Sequence, residues 1–175
     1  GKLDLLWFDF SYDDMAGEKW RASDLISMVR KYQPNVCIDN RLEGSGEKYG
    51  SIATVSPLPY SGDFVSPEQI IPPHGIFDEQ GERVPWELCA TLNDHWGYCE
   101  SDKNYKSAAL VIKKLVECVS KGGNMILNVG PDARGNFPET AVEELRKVGA
   151  WLSKNGFKNF VFTAASRRPS GLRED

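Results

Sequence analysis

Two hydrophobic patterns alternate along the chain. Strand-length apolar runs occur at LDLLWFDF, NVCIDN, WELCATL, NMILNVG and NFVFT. Amphipathic stretches with helical spacing lie between them, from Trp20 to Tyr32, from about Tyr105 to Ser120 and from about Pro138 to Lys154. Five strands that alternate with three helices predict an α/β fold with a parallel sheet and outer helices. The sheet can be open or closed into a barrel.

One segment departs from this alternation. The residues from Leu42 to Val84 are rich in Gly, Pro and Ser, and the segment is too long for an ordinary connection in a compact domain. Its GDF and SPE sequences are more typical of ordered structure than of a linker. We therefore predict that this segment is a functional loop over the sheet.

Composition restricts the possible partners. A chain of 175 residues with 41% hydrophobic residues has about the length of one domain and can bury a sizeable core. The net charge is −4 and no basic block occurs, so we expect no nucleic acid or anionic membrane partner. The apolar runs are also too short to span a membrane.

The cysteines argue against a metal centre. Cys37, Cys89, Cys99 and Cys118 have no CxxC spacing, and their apolar surroundings predict buried free thiols. We expect no metal and no cofactor. The cellular compartment stays open.

Polar residues collect where the predicted strands end, and this edge carries the chemistry of parallel α/β folds. Asp9 ends an otherwise apolar first run, Asp39, Asn40 and Arg41 end the second, and Asn128 lies near the end of the fourth. Each has a structural interpretation on its own, as a turn or capping residue, an ion-pair partner or a backbone-satisfying amide. Together they predict a site.

Several longer blocks resemble one known family. They are LLWFDF, DNR, GDFVSPE, VPWELCATLNDHWGY, SKGGNMILNVGPDARGNFP and LRKVGAWLSKNG. In this order they resemble the carboxyl-proximal half of the catalytic barrel of the α-L-fucosidases of glycoside hydrolase family 29. The resemblance implies a partial (β/α) TIM-like barrel of about five parallel strands with outer helices. It implies a partial catalytic domain over 1–163, followed by a polar tail over 164–175 that is unlike the family.

The resemblance also implies catalytic residues. In the family, the strand that ends in W-x-D carries the nucleophile, which is Asp9 here, and the acid/base in GDFVSPE is Glu68. Retaining glycoside hydrolysis needs two such carboxyl groups about 5–5.5 Å apart. Glu87 could be mistaken for the acid, but it opens a predicted strand and should lie toward the amino end of the sheet, away from the catalytic face.

Aromatic and basic residues are candidates for substrate contact. Trp7 shares a strand face with Asp9, and the resemblance implies that it packs against the methyl group of fucose. Arg41 would contact the sugar or orient the carboxylates. Trp86 and Trp96 are typical of the family, although aromatics beside a barrel strand are more often core than sugar platform. His74 and His95, the two histidines of the chain, have surface or packing roles as an equally good interpretation.

Two functions follow from the resemblance. One is a retaining α-L-fucosidase that acts on terminal α-L-fucosyl linkages of oligosaccharides or glycoconjugates by double displacement. The other is a catalytically weak or silent carbohydrate-binding remnant that lacks the fucose-binding histidines of the earlier barrel strands. The presence of both carboxylates favours the first. Because five strands of an eight-stranded barrel leave two open edges, we also expect a homo-oligomer, either a dimer or a tetramer.

Overall fold

A computed structural model describes residues 1–9, 11–12, 14–44 and 49–159. Within these ranges the chain forms four strands, β1 Leu5–Leu6, β2 Cys37–Ile38, β3 Glu87–Thr91 and β4 Asn124–Asn128. The α-helices of the same ranges are α1 Ala22–Tyr32, α2 Ala108–Ser120 and α3 Glu139–Asn159. Short 3-10 helices cover Gly17–Trp20 and Ser51–Ala53. The fold is mixed α/β, as the alternation predicted.

The strands run parallel in two pairs. β1 pairs with β2, with Leu5 opposite Cys37, and β3 pairs with β4, with Glu87 opposite Asn124. Single parallel bridges connect Phe64 to Asp39, Val65 to Trp86 and Glu68 to Cys89. The segment 64–68 therefore lies between β2 and β3 and joins the two pairs.

The prediction of one functional loop from Leu42 to Val84 is therefore wrong for its middle part. The segment 64–68 runs parallel to the neighbouring strands and forms the hydrogen bonds of a parallel ladder. The Val65 N–H donates to the Pro85 carbonyl, and the Val65 carbonyl accepts from the Glu87 N–H. Pro67 has no N–H to donate, although its carbonyl still accepts from Cys89 at 2.9 Å. A short apolar run with an internal proline gives a poor strand signal in the sequence.

The helices cover the sheet with apolar faces. α1 contributes Ala22 and Ile26 to a cluster with Ile38 of β2. α2 contributes Cys118 to a cluster around β3, and its first half joins α3 in a third cluster with Leu92. Each helix thus buries its apolar side against the strand that precedes or follows it. No helix in the described part of the chain is long and apolar enough to cross a membrane.

The helix boundaries differ from the predicted ones at local signals. α1 begins after Arg21, whose φ of 53° interrupts the helical backbone that we predicted from Trp20. α2 begins at Ala108 because the side chain of Ser107 caps it, accepting from the Leu110 N–H at 3.3 Å. α3 continues to Asn159, where NFVFT begins, and the rest of that predicted strand and the tail 164–175 lie outside the described residues.

The cysteines are free, and two of them are buried as predicted. Burial raises the pKa of the Cys89 and Cys118 thiols to about 11. Cys37 is exposed and Cys99 is half-buried, so the prediction of buried thiols is wrong for this second pair. Cys37 lies in a strand of two residues, and the outward-facing positions of such a short strand are open to solvent.

Candidate active site

One buried arginine joins two carboxylates at the carboxyl edge of the sheet. The Arg41 side chain is 1% exposed, and its Nη1 donates to Asp9 Oδ1 and to Glu68 Oε2, both at 3.0 Å. Its Nη2 donates to the carbonyl of Ser66 at 3.2 Å. These bonds hold the guanidinium in one orientation, because its planar fork of donors is engaged on two nitrogens.

The parallel strands bring the three residues together. Asp9 follows β1, Arg41 follows β2, and Glu68 ends the bridging segment 64–68. Parallel strands end at the same edge, so residues that are distant in sequence become neighbours there. The structure thus places Asp9, Arg41 and Glu68, all singled out in the sequence, in one cluster.

The two carboxylates are close and open to solvent. Because each oxygen lies 3.0 Å from the same nitrogen, the two oxygens are no farther apart than twice that distance. This limit is compatible with the separation of about 5–5.5 Å that retaining glycosidases use. The side chains of Asp9 and Glu68 are 39% and 34% exposed, while the arginine beneath them is buried. A ligand can therefore approach both carboxylates from the solvent side.

Trp7 is the aromatic part of the same cluster. The Arg41 Cζ lies 4.5 Å from the centroid of the Trp7 ring, which is within the range of a cation–π contact. The indole Nε1–H donates to Glu87 Oε1 at 3.1 Å. Trp7 therefore contacts the central arginine with its ring face and a second carboxylate with its ring edge.

Asp39 fixes the backbone next to the cluster. Asp39 is fully buried, and its Oδ1 accepts from the N–H of Phe8 at 3.1 Å. Phe8 is the residue between Trp7 and Asp9 in the sequence. Burial raises the pKa of Asp39 to about 7, against the opposing effects of the Phe8 hydrogen bond and the Arg41 charge. Its Oδ2 has no hydrogen-bond partner among the described residues. Asp39 is thus a buried acid that positions the strand end, and not an exposed turn residue.

Comparison with known proteins identifies the family. The family model described as Alpha-L-fucosidase matches residues 1–157. The chain belongs to the α-L-fucosidase family. It is 31% identical to the plasma α-L-fucosidase of Homo sapiens over 153 residues, which are 76% of this chain and 33% of that relative.

Solved α-L-fucosidases have the same fold over most of the chain. The α-L-fucosidase isoenzyme 1 from Paenibacillus thiaminolyticus superposes with a TM-score of 0.84 at 55% identity, over 90% of this chain and 36% of that one. The chain also superposes on a Bacteroides thetaiotaomicron α-L-fucosidase of family GH29, which was trapped as a covalent intermediate with 2-fluoro-fucosyl fluoride. The TM-score is 0.71 at 28% identity, over 87% of this chain and 36% of that one. The chain spans one third or less of the length of the curated α-L-fucosidases that it matches.

Trp86, which the family resemblance offered for substrate contact, is a core residue. It is 1% exposed, packs in the cluster around β3 and directs its Nε1–H toward the Lys121 carbonyl at 3.4 Å. Its ring lies directly over Gly123, where a Cβ would come within 2.2 Å of it. Trp86 therefore has no free surface for a sugar. Trp96 is exposed in the loop after β3, and its role in substrate contact stays a prediction.

Glu87 is closer to the cluster than its sequence position indicated. It does open β3, and because Val65 pairs with Trp86 and Glu68 with Cys89, Glu87 is level with Ser66 and two residues short of Glu68. Its side chain nevertheless accepts from the Trp7 indole, which contacts Arg41. The expectation that Glu87 lies away from the catalytic face is therefore wrong. The first residue of one strand can be level with the end of another when strands are staggered. Burial raises the pKa of Glu87, and the Trp7 hydrogen bond opposes that rise.

His74, His95 and Asn128 occupy three different settings in the described structure. His74 is exposed, and His95 is an exposed residue of the loop after β3 whose Nδ1 bonds Asp102 Oδ2 at 2.9 Å. This bond raises the pKa of His95. Asn128 ends β4, and its Oδ1 is buried without a hydrogen-bond partner in the described ranges. Sequence patterns gave no signal for Asp102, since its contact depends on how the loop 93–104 folds back.

Proposed function

We propose that this chain carries the two catalytic carboxylates of a retaining α-L-fucosidase, with Asp9 as nucleophile and Glu68 as acid/base. The observation that carries the proposal is that both carboxylates bind the same buried Arg41 nitrogen at 3.0 Å. The substrates would be terminal α-L-fucosyl linkages of oligosaccharides or glycoconjugates. Membership in the α-L-fucosidase family supports this substrate class.

The mechanism uses two displacements. Asp9 attacks the anomeric carbon while Glu68 donates a proton to the leaving oxygen, which forms a glycosyl-enzyme ester and releases the aglycone. Glu68, now deprotonated, then removes a proton from water, and the water oxygen replaces Asp9 at the anomeric carbon. The covalent intermediate trapped on the Bacteroides thetaiotaomicron relative supports this route.

Arg41 and Trp7 prepare the site for this chemistry. The Arg41 cation lies between the two carboxylates and keeps them at a fixed separation. The half-buried Trp7 would present its indole to the methyl group of fucose, and Trp96 would contact the substrate from the loop after β3. We place no catalytic function on Trp86, because it is buried in the core.

We further propose that the described strands are part of a (β/α) barrel whose catalytic domain includes residues 1–163. The TM-score of 0.84 with the Paenibacillus thiaminolyticus enzyme supports this architecture. Within the described residues, β1 pairs only with β2 and β4 only with β3. Leu5 and Ile126 on these edge strands are 44% and 41% exposed. Apolar edge strands of this kind favour self-association, and we propose a dimer or tetramer that covers them. Light scattering that shows only monomer would contradict the assembly.

The nucleophile can be tested with azide. Asp9→Gly should reduce hydrolysis of an aryl α-L-fucoside by several orders of magnitude, and added azide should restore turnover and yield a fucosyl azide of inverted anomeric configuration. Asp14→Gly, which removes an exposed carboxylate nearby, is the matched control and should keep the rate of the unmodified chain. Near-normal turnover of the Asp9 variant would refute the assignment.

The acid/base can be tested with leaving groups. Glu68→Ala should slow substrates with poor leaving groups far more than activated aryl fucosides, since a good leaving group needs little protonation. The same pair of substrates applied to Glu87→Ala decides between the two glutamates. If the unmodified chain binds L-fucose but hydrolyses no fucoside, the second candidate holds, and the chain is a carbohydrate-binding remnant.

A further inference from the structure

We propose that Glu87 is a positioning residue, which holds the Trp7 indole against the Arg41 guanidinium and so fixes the cation between the two carboxylates. The inference rests on the proposed function for the roles of Asp9 and Glu68. The contact between Glu87 and Trp7 itself does not depend on any activity.

The contact crosses the inner face of the sheet. Trp7 follows β1 and Glu87 opens β3, and both β2 and the segment 64–68 lie between these two strands. Neighbouring strands are about 4.8 Å apart, so a flat sheet would hold the two backbones about 14 Å from one another. A bond of 3.1 Å between their side chains therefore requires a curved sheet with both side chains on its concave face.

The contacts form a continuous series from Glu87 to the reacting groups. Glu87 accepts the indole N–H, the indole ring lies 4.5 Å from the Arg41 Cζ, and Arg41 binds both carboxylates. Arg41 Nε is buried and has no hydrogen-bond partner among the described residues. Two sets of contacts thus orient the Arg41 guanidinium: the ring face of Trp7, and the hydrogen bonds that Arg41 Nη1 and Nη2 donate.

The chemistry of Glu87 fits a positioning role. A carboxylate in a half-buried setting is costly unless a donor satisfies it, and the donor here is the indole N–H, which would itself be left unsatisfied without an acceptor. An acid/base would instead need a proton-transfer path to the leaving group. The bonded Glu87 oxygen faces the edge of the indole, whereas a Glu68 oxygen lies on the Arg41 nitrogen beside Asp9.

The contact can be measured by NMR of the indole groups. The Trp7 Nε1–H signal is assigned by its loss in Trp7→Phe, and we expect it to exchange slowly with solvent in the unmodified chain. Glu87→Gln keeps a carbonyl acceptor and should retain slow exchange. Glu87→Leu removes the acceptor and should accelerate exchange about tenfold or more, which is the effect of losing roughly 1.4 kcal/mol of protection. Glu82→Leu, at an exposed glutamate, is the control and should change nothing.

Kinetics test whether the contact acts through Trp7. With an aryl α-L-fucoside, Glu87→Leu should lower kcat/KM about 10- to 100-fold, as losses of supporting contacts do, and Glu87→Gln should restore most of it. In a Trp7→Phe background, Glu87→Leu should have no further effect, because the indole N–H is already absent. Losses that add in the double variant would overturn the proposal.

The two sets of measurements separate the positioning role from the proposed function. If the unmodified chain hydrolyses no fucoside, the proposed function fails, and the exchange data together with L-fucose titration of the same spectra still decide the role of Glu87. An indole signal that is equally protected in Glu87→Leu and in the unmodified chain would overturn the positioning role, whatever the activity. Circular dichroism of each variant establishes that it is folded before these comparisons are made.

Discussion

Replacing Asp39 by Asn should remove a specific dependence of stability on pH. Burial raises the pKa of this carboxyl from 3.8 to about 7 in the folded chain. The folded state therefore holds the Asp39 proton more tightly than the unfolded state does. The contribution of Asp39 to the free energy of unfolding is fully present below about pH 4, and it is lost as the pH rises to about 7.

The change in the pKa of Asp39 on folding sets the size of the expected difference in stability. One pKa unit corresponds to about 1.36 kcal/mol, so a change from 3.8 to about 7 gives an upper limit of about 4 kcal/mol. Asp39→Asn is neutral at every pH and can still accept from the Phe8 N–H through its Oδ1. The variant should therefore be more stable than the unmodified chain above neutral pH, and the difference should decrease toward zero in acid.

Urea unfolding followed by circular dichroism measures this difference. The free energy of unfolding of both proteins is compared at about pH 4.5 and at about pH 8, which bracket most of the pH range over which the Asp39 contribution is lost. Titrating groups that do not interact with Asp39, including His95, contribute equally to both proteins and cancel in the difference. Gly149→Ala, in open space on α3, changes no titrating group and is the control, whose difference from the unmodified chain should not depend on pH. A flat difference for Asp39→Asn, or lower stability of this variant at the higher pH, would refute the buried-acid interpretation.

Two further predictions concern packing and capping. Gly123→Ala would put a Cβ 2.2 Å from the Trp86 ring and should reduce the free energy of unfolding by about 1–3 kcal/mol or more, whereas Gly149→Ala, in open space on α3, should be neutral or add up to about 1 kcal/mol. Equal urea midpoints for the two variants would contradict the packing argument. Ser107→Ala should cost about 1 kcal/mol in the same assay, because it removes the cap on the Leu110 N–H; no loss would mean that water replaces the cap.

The sequence was sufficient for elements that carry their own periodic signal. The apolar runs predicted β1, β2, β3 and β4, and the amphipathic stretches predicted all three helices, because burial on one face determines both patterns. The segment 64–68 was missed as part of the sheet, since it is short, contains Pro67 and is held by single bridges to two different neighbours. α3 continues beyond Lys154, the end predicted for it, and passes through Gly156, because one glycine costs a helix only about 1 kcal/mol.

The candidate site, like the fold, was only partly predictable from the sequence. Parallel strands place their carboxyl ends together, so the proximity of Asp9 and Arg41 followed from strand order, whereas Glu68 was singled out by the family resemblance and not as the end of a strand. The contact between Trp7 and Glu87 depends on the curvature of the sheet and on the stagger between strands that are not neighbours. No local pattern in the sequence reports either quantity. The burial of Asp39 is equally a property of the assembled fold, since a short polar residue after a strand is more often an exposed turn residue.

Hydrogen bonds between the described residues hold the charged cluster in place. The contacts of Arg41 with Trp7, Asp9 and Glu68 lie within three adjacent parallel segments. Asp39 accepts a hydrogen bond from the Phe8 N–H and Asn40 accepts one from the Ser66 N–H, and these bonds fix the segments next to the cluster. The arrangement of Asp9, Arg41 and Glu68 thus depends on contacts inside the described residues.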